Sequence, residues 1–307
     1  MPMSNYPNGF ANGVSIRGVP LAVAHPGKVF WVDSVYGSDG NKGTFDRPFA
    51  TIDYAIGLCT ANKGDVIFVK PGHTETIAAA DAIDLDVAGV AVIGLGSGDA
   101  MPWIKFNNTA ATVAIDADQV TLYNLRFHPL ISAVAIGVNV KAGATDALIS
   151  GCRFDVDTAN TDEFNLSVDI KAGCHRTRVE NCHFNMTLGG AIAAVKLTGA
   201  SDLVEIVGNK VWGDYSTACI VGDTTLSTNL LIDGNLLVNG IGGNVGTEPG
   251  IELLTGTTGI VQNNNIVCNL ATKAASIVGD AVFLFENYYN EDVTGTGGLI
   301  GTASADD

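Results

Sequence analysis

The chain has 307 residues, 47% of them hydrophobic and 16% charged, with 32 acidic side chains against 16 basic ones and a net charge of −16. This composition provides for a sizeable core and excludes global disorder, and the negative charge predicts neither nucleic acid nor an anionic membrane as a partner. The 37 glycines are spread along the chain, which predicts many short strands joined by tight turns.

Residues 1–28 are predicted to form an extended arm rich in Pro, Asn and Gly. Its larger apolar side chains are spaced too widely for a helix: they are Tyr6, Phe10, Ile16 and Val19. Such an arm cannot bury aromatic side chains by itself, so we expect it to lie on another subunit or on a particle. The alternative is an arm folded back over its own end of the domain. The arm lacks a basic region followed by an apolar run, and no signal peptide is expected.

Residues 29–64 are predicted to form a cap with a short amphipathic helix. The helix follows Pro48, and its apolar positions recur at helical spacing: Ile52, Ala55, Ile56 and Cys59. A buried strand then follows Gly64-Asp65 and ends at Pro71-Gly72. A helix over the open end of a stack of strands would cover an unpaired edge.

A repeat of 26 to 30 residues follows. Its seven copies are AVIGLGS (91–97), TLYNLRF (121–127), LISGCRF (148–154), RVENCHF (178–184), EIVGNKV (205–211), LIDGNLL (231–237) and VQNNNIV (261–267). A period of this length is typical of a solenoid. The second and seventh positions are mostly apolar although their parity is opposite, so a bend must separate them.

The fourth position supplies that bend, because Gly and Asn tolerate a left-handed backbone. The predicted corner residues are Gly94, Asn124, Gly151, Asn181, Gly208, Gly234 and Asn264. The fifth position should then point inward and stack along the axis. The predicted interior ladder is Cys152, Cys182, Asn209, Asn235 and Asn265. Buried Asn side chains in such a ladder can bond to one another and to the turn backbone.

The two Cys-His pairs in GCHRTRVENCHF (173–184) resemble half of a zinc site. Alternation along a strand argues against this reading, because an inward Cys182 places His183 on the outer face. Cys174 and His175 sit at a turn, and too few ligands converge. We expect the cysteines to be reduced thiols in the core, and we predict neither a metal nor a cofactor. Because the six cysteines are not closely spaced in the sequence, we also predict no disulfides.

The predicted fold is an all-β, right-handed parallel β-helix of about eight coils over residues 65–290, followed by a flexible acidic tail at 291–307. The pattern Gly-Ser-Asp, Pro-Phe, Thr-Ile, Ala-Ile, Gly-Asp and Pro-Gly within residues 37–72 resembles the opening of the pectin-lyase-like superfamily. That resemblance implies the fold and says little about function.

A narrower resemblance covers the first hundred residues. The stretches YPNGFANGVSIRGVPL, HPGKVFWV, SDGNKGTFDRPFATIDYAI and DLDVAGVAVIGLGSG are similar to a group of tailed-bacteriophage proteins encoded near capsid genes. The resemblance implies a virion component made in the host cytoplasm. We expect a homotrimer on the capsid surface that contacts the major capsid protein or other virion proteins.

Catalytic residues are not predicted. Enzymes on this fold use clustered carboxylates, and Asp155, Asp157, Glu205 and Asp233 do not recur at one position of adjacent coils with a basic partner. Asp214, in VWGDY, is a weak candidate. The leading hypothesis is therefore a capsid decoration protein that stabilises the head. The alternatives are a carbohydrate-active depolymerase and a glycan-binding tail fibre or adhesin, and few Trp and Tyr in the repeats argue against both.

Overall fold

The computed structural model describes residues 14–16, 19–22, 27–156, 162–240, 248–268, 270, 276–279, 281–290 and 297–300. Of the predicted arm residues, Tyr6 and Phe10 lie outside this part. Ile16 and Val19 lie in two short strands that pair antiparallel with each other.

Thirty strands are present in the described residues. The first ten are β1 Val14–Ile16, β2 Val19–Ala22, β3 Val29–Val32, β4 Val66–Val69, β5 Thr74–Ile77, β6 Ile83–Leu85, β7 Ala91–Gly94, β8 Trp103–Phe106, β9 Val113–Ile115 and β10 Thr121–Tyr123. The next ten are β11 Arg126–Pro129, β12 Val134–Val140, β13 Leu148–Ser150, β14 Arg153–Asp155, β15 Phe164–Ile170, β16 Arg178–Glu180, β17 His183–Met186, β18 Ala193–Leu197, β19 Glu205–Val207 and β20 Lys210–Gly213. The last ten are β21 Ile220–Gly222, β22 Leu230–Asp233, β23 Leu236–Asn239, β24 Ile251–Leu253, β25 Gly259–Gln262, β26 Asn265–Val267, β27 Ile277–Val278, β28 Val282–Phe285, β29 Tyr288–Asn290 and β30 Gly297–Leu299.

The strands after β2 stack in three sheets, and each coil of the chain contributes one strand to each sheet in turn. Sheet 1 runs from β3 and β4 through β7, β10, β13, β16, β19, β22 and β25 to β28. Sheet 2 runs from β5 through β8, β11, β14, β17, β20, β23 and β26 to β29, with β30 antiparallel at its end. Sheet 3 runs from β6 through β9, β12, β15, β18, β21 and β24 to β27. The predicted parallel β-helix of about eight turns is confirmed.

The bend between sheets 1 and 2 is made by residues with a left-handed backbone. Its φ angles lie between 47° and 66° at Asn124, Gly151, Asn181, Gly208, Gly234, Asn263 and Glu286. Because a single residue turns the chain there, the strands on either side keep their register from coil to coil. Leu122, Ile149 and Val179, for example, stack directly and are fully buried.

Two of the predicted corner and ladder assignments are wrong in the seventh copy. β22 pairs with β25 so that Ile232 lies opposite Val261, which places Asn263 opposite Gly234. Asn264 is therefore an inward ladder residue and not the corner, and Asn265 is exposed. Three successive asparagines fit either register in the sequence, and only the strand pairing distinguishes them.

The first copy also departs from the prediction. Gly94 ends β7 without a left-handed φ, and a Cβ on it would lie 2.1 Å from the Asn124 carbonyl oxygen. A longer turn follows, with a 3₁₀ segment at Gly98–Ala100. Ile104, not Ser97, is the residue that aligns with Phe127. The glycine at 94 is required for the close approach of the next coil and not for a turn.

Ladders of like residues fill the interior. The rings of Phe127, Phe154 and Phe184 stack at 4.8 Å between centroids. Beside the bend, Asn209, Asn235, Asn264 and Asn287 form a continuous amide ladder. Each of the last three also donates from its Nδ2 to a backbone carbonyl of the coil before, at 2.8 to 2.9 Å. The ladder therefore satisfies its buried amides and ties the coils together.

The cap helix α1 spans Ile52–Ile56, shorter than predicted, and packs against β3, β4 and β6. Two acidic residues of the cap's sequence pattern, Asp39 and Asp65, accept hydrogen bonds from backbone amides. Asp39 accepts hydrogen bonds from the Ala50 and Thr51 amides, at 2.9 and 3.2 Å. Asp65 accepts from the Lys28 and Thr60 amides, each at 2.6 Å. The sequence pattern of the cap is thus a folding signature.

Candidate functional site

The two Cys-His pairs, Cys174-His175 and Cys182-His183, do not come together as a set of metal ligands. Cys174 and Cys182 are buried, and their thiols donate to backbone carbonyl groups, Cys174 to Lys141 at 3.0 Å. His175 lies at a turn, where its Nδ1 accepts a hydrogen bond from the Asp202 amide at 3.0 Å. His183 points outward from sheet 2. All six cysteines are free thiols, and in the described residues no three His, Cys, Asp or Glu side chains are grouped to hold a metal ion.

Most of the carboxylates considered as catalytic candidates in the sequence form hydrogen bonds or ion pairs with side chains of neighbouring coils. Asp233 accepts hydrogen bonds from Gln262 and Asn263 of the next coil. Glu205 pairs with Arg178 at 2.5 Å, and Asp155 pairs with Arg126. Asp157 lies outside the described residues. These contacts give the carboxylates a structural role.

One pair of carboxylates is different. Glu163 and Asp214 lie in turns between sheets 2 and 3 that are two coils apart, and both are at least nine-tenths buried. Oε1 of Glu163 accepts a hydrogen bond from the Gly190 amide at 2.5 Å, whereas Oε2 is buried without a hydrogen-bond partner. Burial raises the pKa of Glu163, and the nearby charge of Asp214 raises it further. Glu163 therefore holds its proton more tightly than an exposed glutamate does.

Tyr215 belongs to the same cluster. Its ring is fully buried, its hydroxyl has no hydrogen-bond partner, and burial raises its pKa well above the usual range. Gly213 makes room for it, because a Cβ there would lie 2.5 Å from the tyrosine ring. Asn239 fixes the backbone by accepting from the Tyr215 amide at 2.8 Å. Sequence reasoning identified Asp214 but missed Glu163 and Tyr215, whose burial depends on turns of unequal length.

A second feature is an apolar surface on sheet 1 at the last coils, here called the apolar end face. It consists of Leu203, Leu231, Ile260, Phe283 and Phe285. Phe283 is 68% exposed and Phe285 50% exposed, and a shallow groove of about 460 Å³ runs between Phe283 and Leu203. The alternation in VFLF (282–285), with Val282 and Leu284 buried, is the sequence signal that could have revealed it.

No family model and no curated protein matches this chain in sequence. Solved structures do match in fold. A rhamnogalacturonan lyase superposes with a TM-score of 0.58 at 14% identity, over 79% of this chain and 69% of the lyase chain. The pectin methylesterase from Aspergillus niger gives a TM-score of 0.51 at 14% identity, over 92% of this chain and 88% of the esterase chain. ORF18 of Geobacillus virus E2 gives a TM-score of 0.47 at 14% identity, over 89% of this chain and 63% of the ORF18 chain.

These likenesses establish the class of fold. The chain is a parallel β-helix, a fold that it shares with a rhamnogalacturonan lyase and a pectin methylesterase. At such low identity they show the fold alone. In the described residues no helix is long and apolar enough to cross a membrane.

Proposed function

We propose that this chain is a structural component of a tailed-phage particle, a homotrimeric decoration protein that stabilises the capsid from its outer surface. The apolar end face is the observation that carries the proposal. Contiguous apolar side chains on a soluble surface are typical of a contact with another protein.

A second copy of the chain is the occupant that we assign to this face. Copies related by a rotation axis would bring the last coils of sheet 1 together and bury Phe283 and Phe285. Fully burying one Phe side chain contributes about 1.5–3 kcal/mol, so several such contacts per copy support a stable assembly. The resulting rod would present its remaining faces to the capsid.

The proposal predicts regular density on the particle. Electron cryomicroscopy of particles that carry the protein should show β-helical rods at symmetry-related positions of the shell, with sheet 1 of the last coils at the rod axis. Rods confined to the tail would contradict the capsid assignment, and single rods without a partner would contradict the trimer.

A carbohydrate-active enzyme is the second candidate, and the Glu163–Asp214 pair favours it. Glycoside hydrolases use one carboxyl group that stays protonated beside one that is ionised, and burial raises the pKa of Glu163 in the direction that suits a general acid. Asp214 would act as the second carboxylate.

Turnover of a defined polysaccharide separates the two proposals. If the pair is catalytic, Glu163→Gln and Asp214→Asn should each lower kcat by at least about a hundredfold, while Asp233→Asn, on sheet 1, should leave it unchanged. Equal rates in all three variants would exclude the pair as the catalytic site.

A further inference from the structure

Sheet 1 begins with a second apolar surface, here called the apolar start face. It consists of Trp31, Phe45, Phe68, Ile93, Tyr123 and Leu148. Strand pairing sets Trp31, Phe68, Ile93 and Tyr123 in one outward row across four neighbouring strands. The five strands that carry the face, β3, β4, β7, β10 and β13, contain no charged residue. On a chain with 32 acidic residues, an uncharged outer sheet face is typical of a surface that another segment covers.

The aromatic side chains of the start face are held in place but remain open to a partner. The centre of the Trp31 ring lies 5.0 Å from that of Phe68 and 4.9 Å from that of Phe45. Nζ of Lys70 lies 4.4 Å from the centre of the Phe45 ring and donates to the Phe45 carbonyl at 2.8 Å. Phe45 is still 58% exposed, and Tyr123 is 47% exposed. A preorganised apolar surface of this kind binds a partner at a lower entropy cost than a mobile one.

Charged strands separate the start face from the apolar end face. Arg178 on β16 pairs with Glu180 on the same strand and with Glu205 on β19, each at 2.5 Å. The hydroxyl of Ser150, at the border of the start face, donates to Glu180 at 3.1 Å. A contact between copies through the end face can therefore be complete without the start face. The start face needs an occupant of its own.

The N-terminal arm joins the domain beside this face, because the chain enters sheet 1 at β3. Val14 pairs with Ala22, so the hairpin of β1 and β2 returns the chain to its starting point. The residues from Phe10 to Val14 and from Ala22 to Gly27 can together span about 30 Å when extended. The face from β3 to β13 crosses four strand spacings, or about 19 Å. The arm can therefore reach every part of the face.

We propose that residues 1–13 lie across the apolar start face of their own chain, with Tyr6 and Phe10 packed against it. Residues 1–13 contain no charged side chain, so they meet the uncharged face without burying a charge that lacks a partner. A segment tethered beside its site is present there at an effective concentration in the millimolar range, which favours the chain's own arm over that of another copy. The inference is independent of the proposed trimer, which uses the other end of sheet 1.

Hydroxyl-radical footprinting of the full chain tests this cover, because the oxidation rate of a side chain follows its exposed area. In Tyr6→Ser/Phe10→Ser the oxidation rates of Trp31 and Tyr123 should rise at least about threefold over wild type, since the arm loses the apolar contacts that hold it. Oxidation of Trp212, on sheet 2, should not change, which also shows that the coils stay folded. Trp212→Ser is the matched control, because it removes an exposed aromatic side chain elsewhere and should leave the rates on the start face at their wild-type values.

Photo-crosslinking identifies the chain to which the covering arm belongs. A photoreactive phenylalanine analogue replaces Phe10, and isotopically light and heavy chains are refolded together before irradiation. Crosslinks should join position 10 to the strands of the start face, between peptides that carry the same label. Crosslinks between light and heavy peptides, crosslinks to another face, or equal oxidation rates in wild type and Tyr6→Ser/Phe10→Ser would overturn the inference. Same-label crosslinks in a chain that stays monomeric would support it and contradict the proposed trimer alone.

Discussion

At the scale of single residues, the amide ladder shows how a polar side chain can stabilise a core. Nδ2 of Asn235 donates to the carbonyl of Ile206 and to Oδ1 of Asn264, each at 2.9 Å. Its Oδ1 accepts from the backbone amide of Asn209 at 2.9 Å. Every bond joins one coil to its neighbour. The ladder therefore sets the register in addition to filling space.

Asn235→Ala should destabilise the protein by about 3 kcal/mol or more, because it leaves buried donors and acceptors of two coils unpaired. Asn265→Ala is the control, since the exposed neighbour should cost no more than about 0.5 kcal/mol. Urea unfolding measures both. Equal losses would mean that the register described for the seventh copy is wrong.

The raised pKa of Glu163 gives a second prediction at this scale. Burial makes the native state hold this proton more tightly than the unfolded chain, whose pKa stays near 4.5. The resulting stabilisation is complete below that pH and is lost as pH rises through the folded pKa. Glu163→Gln stays neutral and keeps an acceptor for the Gly190 amide.

The free energy of unfolding of Glu163→Gln, relative to wild type, should therefore increase between pH 4 and pH 7. Denaturant unfolding across this range measures the difference. Parallel pH profiles for the two proteins would show that Glu163 ionises as freely in the fold as in the unfolded chain.

At the scale of elements, the one-residue bend connects sequence to fold. Gly234 has a φ of 66°, and a Cβ added there would meet no atom within 4 Å. The cost of a side chain at this position is therefore the backbone conformation alone. Asn fills the same bend at Asn124 and Asn181.

Gly234→Ala should cost about 1–2 kcal/mol, and Gly234→Asn should cost less, because Asn tolerates the left-handed region. Gly143, which also has a positive φ and open space around it, offers a comparison outside the bend. If Asn at position 234 proved as costly as Ala, a backbone origin of the Gly/Asn pattern would be contradicted.

Much of the arrangement of strands and bends could be predicted from the sequence. A recurrent Gly or Asn between apolar positions of opposite parity is sufficient to predict the bend, the stacked strands and the inward Cys152 and Cys182. The long turn after Gly94 could not be predicted, because a glycine needed for close approach looks the same as one needed for a turn. Glu286 was missed as a corner because Glu rarely adopts a left-handed φ.

Surfaces are harder to predict than interiors. Consecutive members of the set Arg126, Arg153, His183 and Lys210 are separated by 27 to 30 residues in the chain, close to the repeat itself. They form a row only when outward positions of one sheet are compared. Glu163 and Asp214 come near each other through turns whose lengths vary from coil to coil. The repeat predicts which residues share a face, and the turns decide what lies beside that face.

At the scale of the whole molecule, the three outer faces differ in chemistry. Sheet 1 ends in exposed aromatic side chains, sheet 2 carries a groove lined by Arg153, Lys210 and Trp212, and buried carboxylates lie in the turns before sheet 3. A rigid β-helix can keep such faces at fixed positions along one axis. We infer that assembly through one face leaves the others available for contact.

The molar mass of the full chain in solution, measured by light scattering, tests this account most directly. The proposed assembly predicts three times the chain mass of 31.7 kDa for the wild type and for Tyr36→Ser, which removes an exposed aromatic residue of the cap. It predicts the mass of a single chain for Phe283→Ser/Phe285→Ser at the same concentration. A wild type that stays monomeric, or a double variant that keeps the mass of the trimer, would contradict the assigned role of the apolar end face.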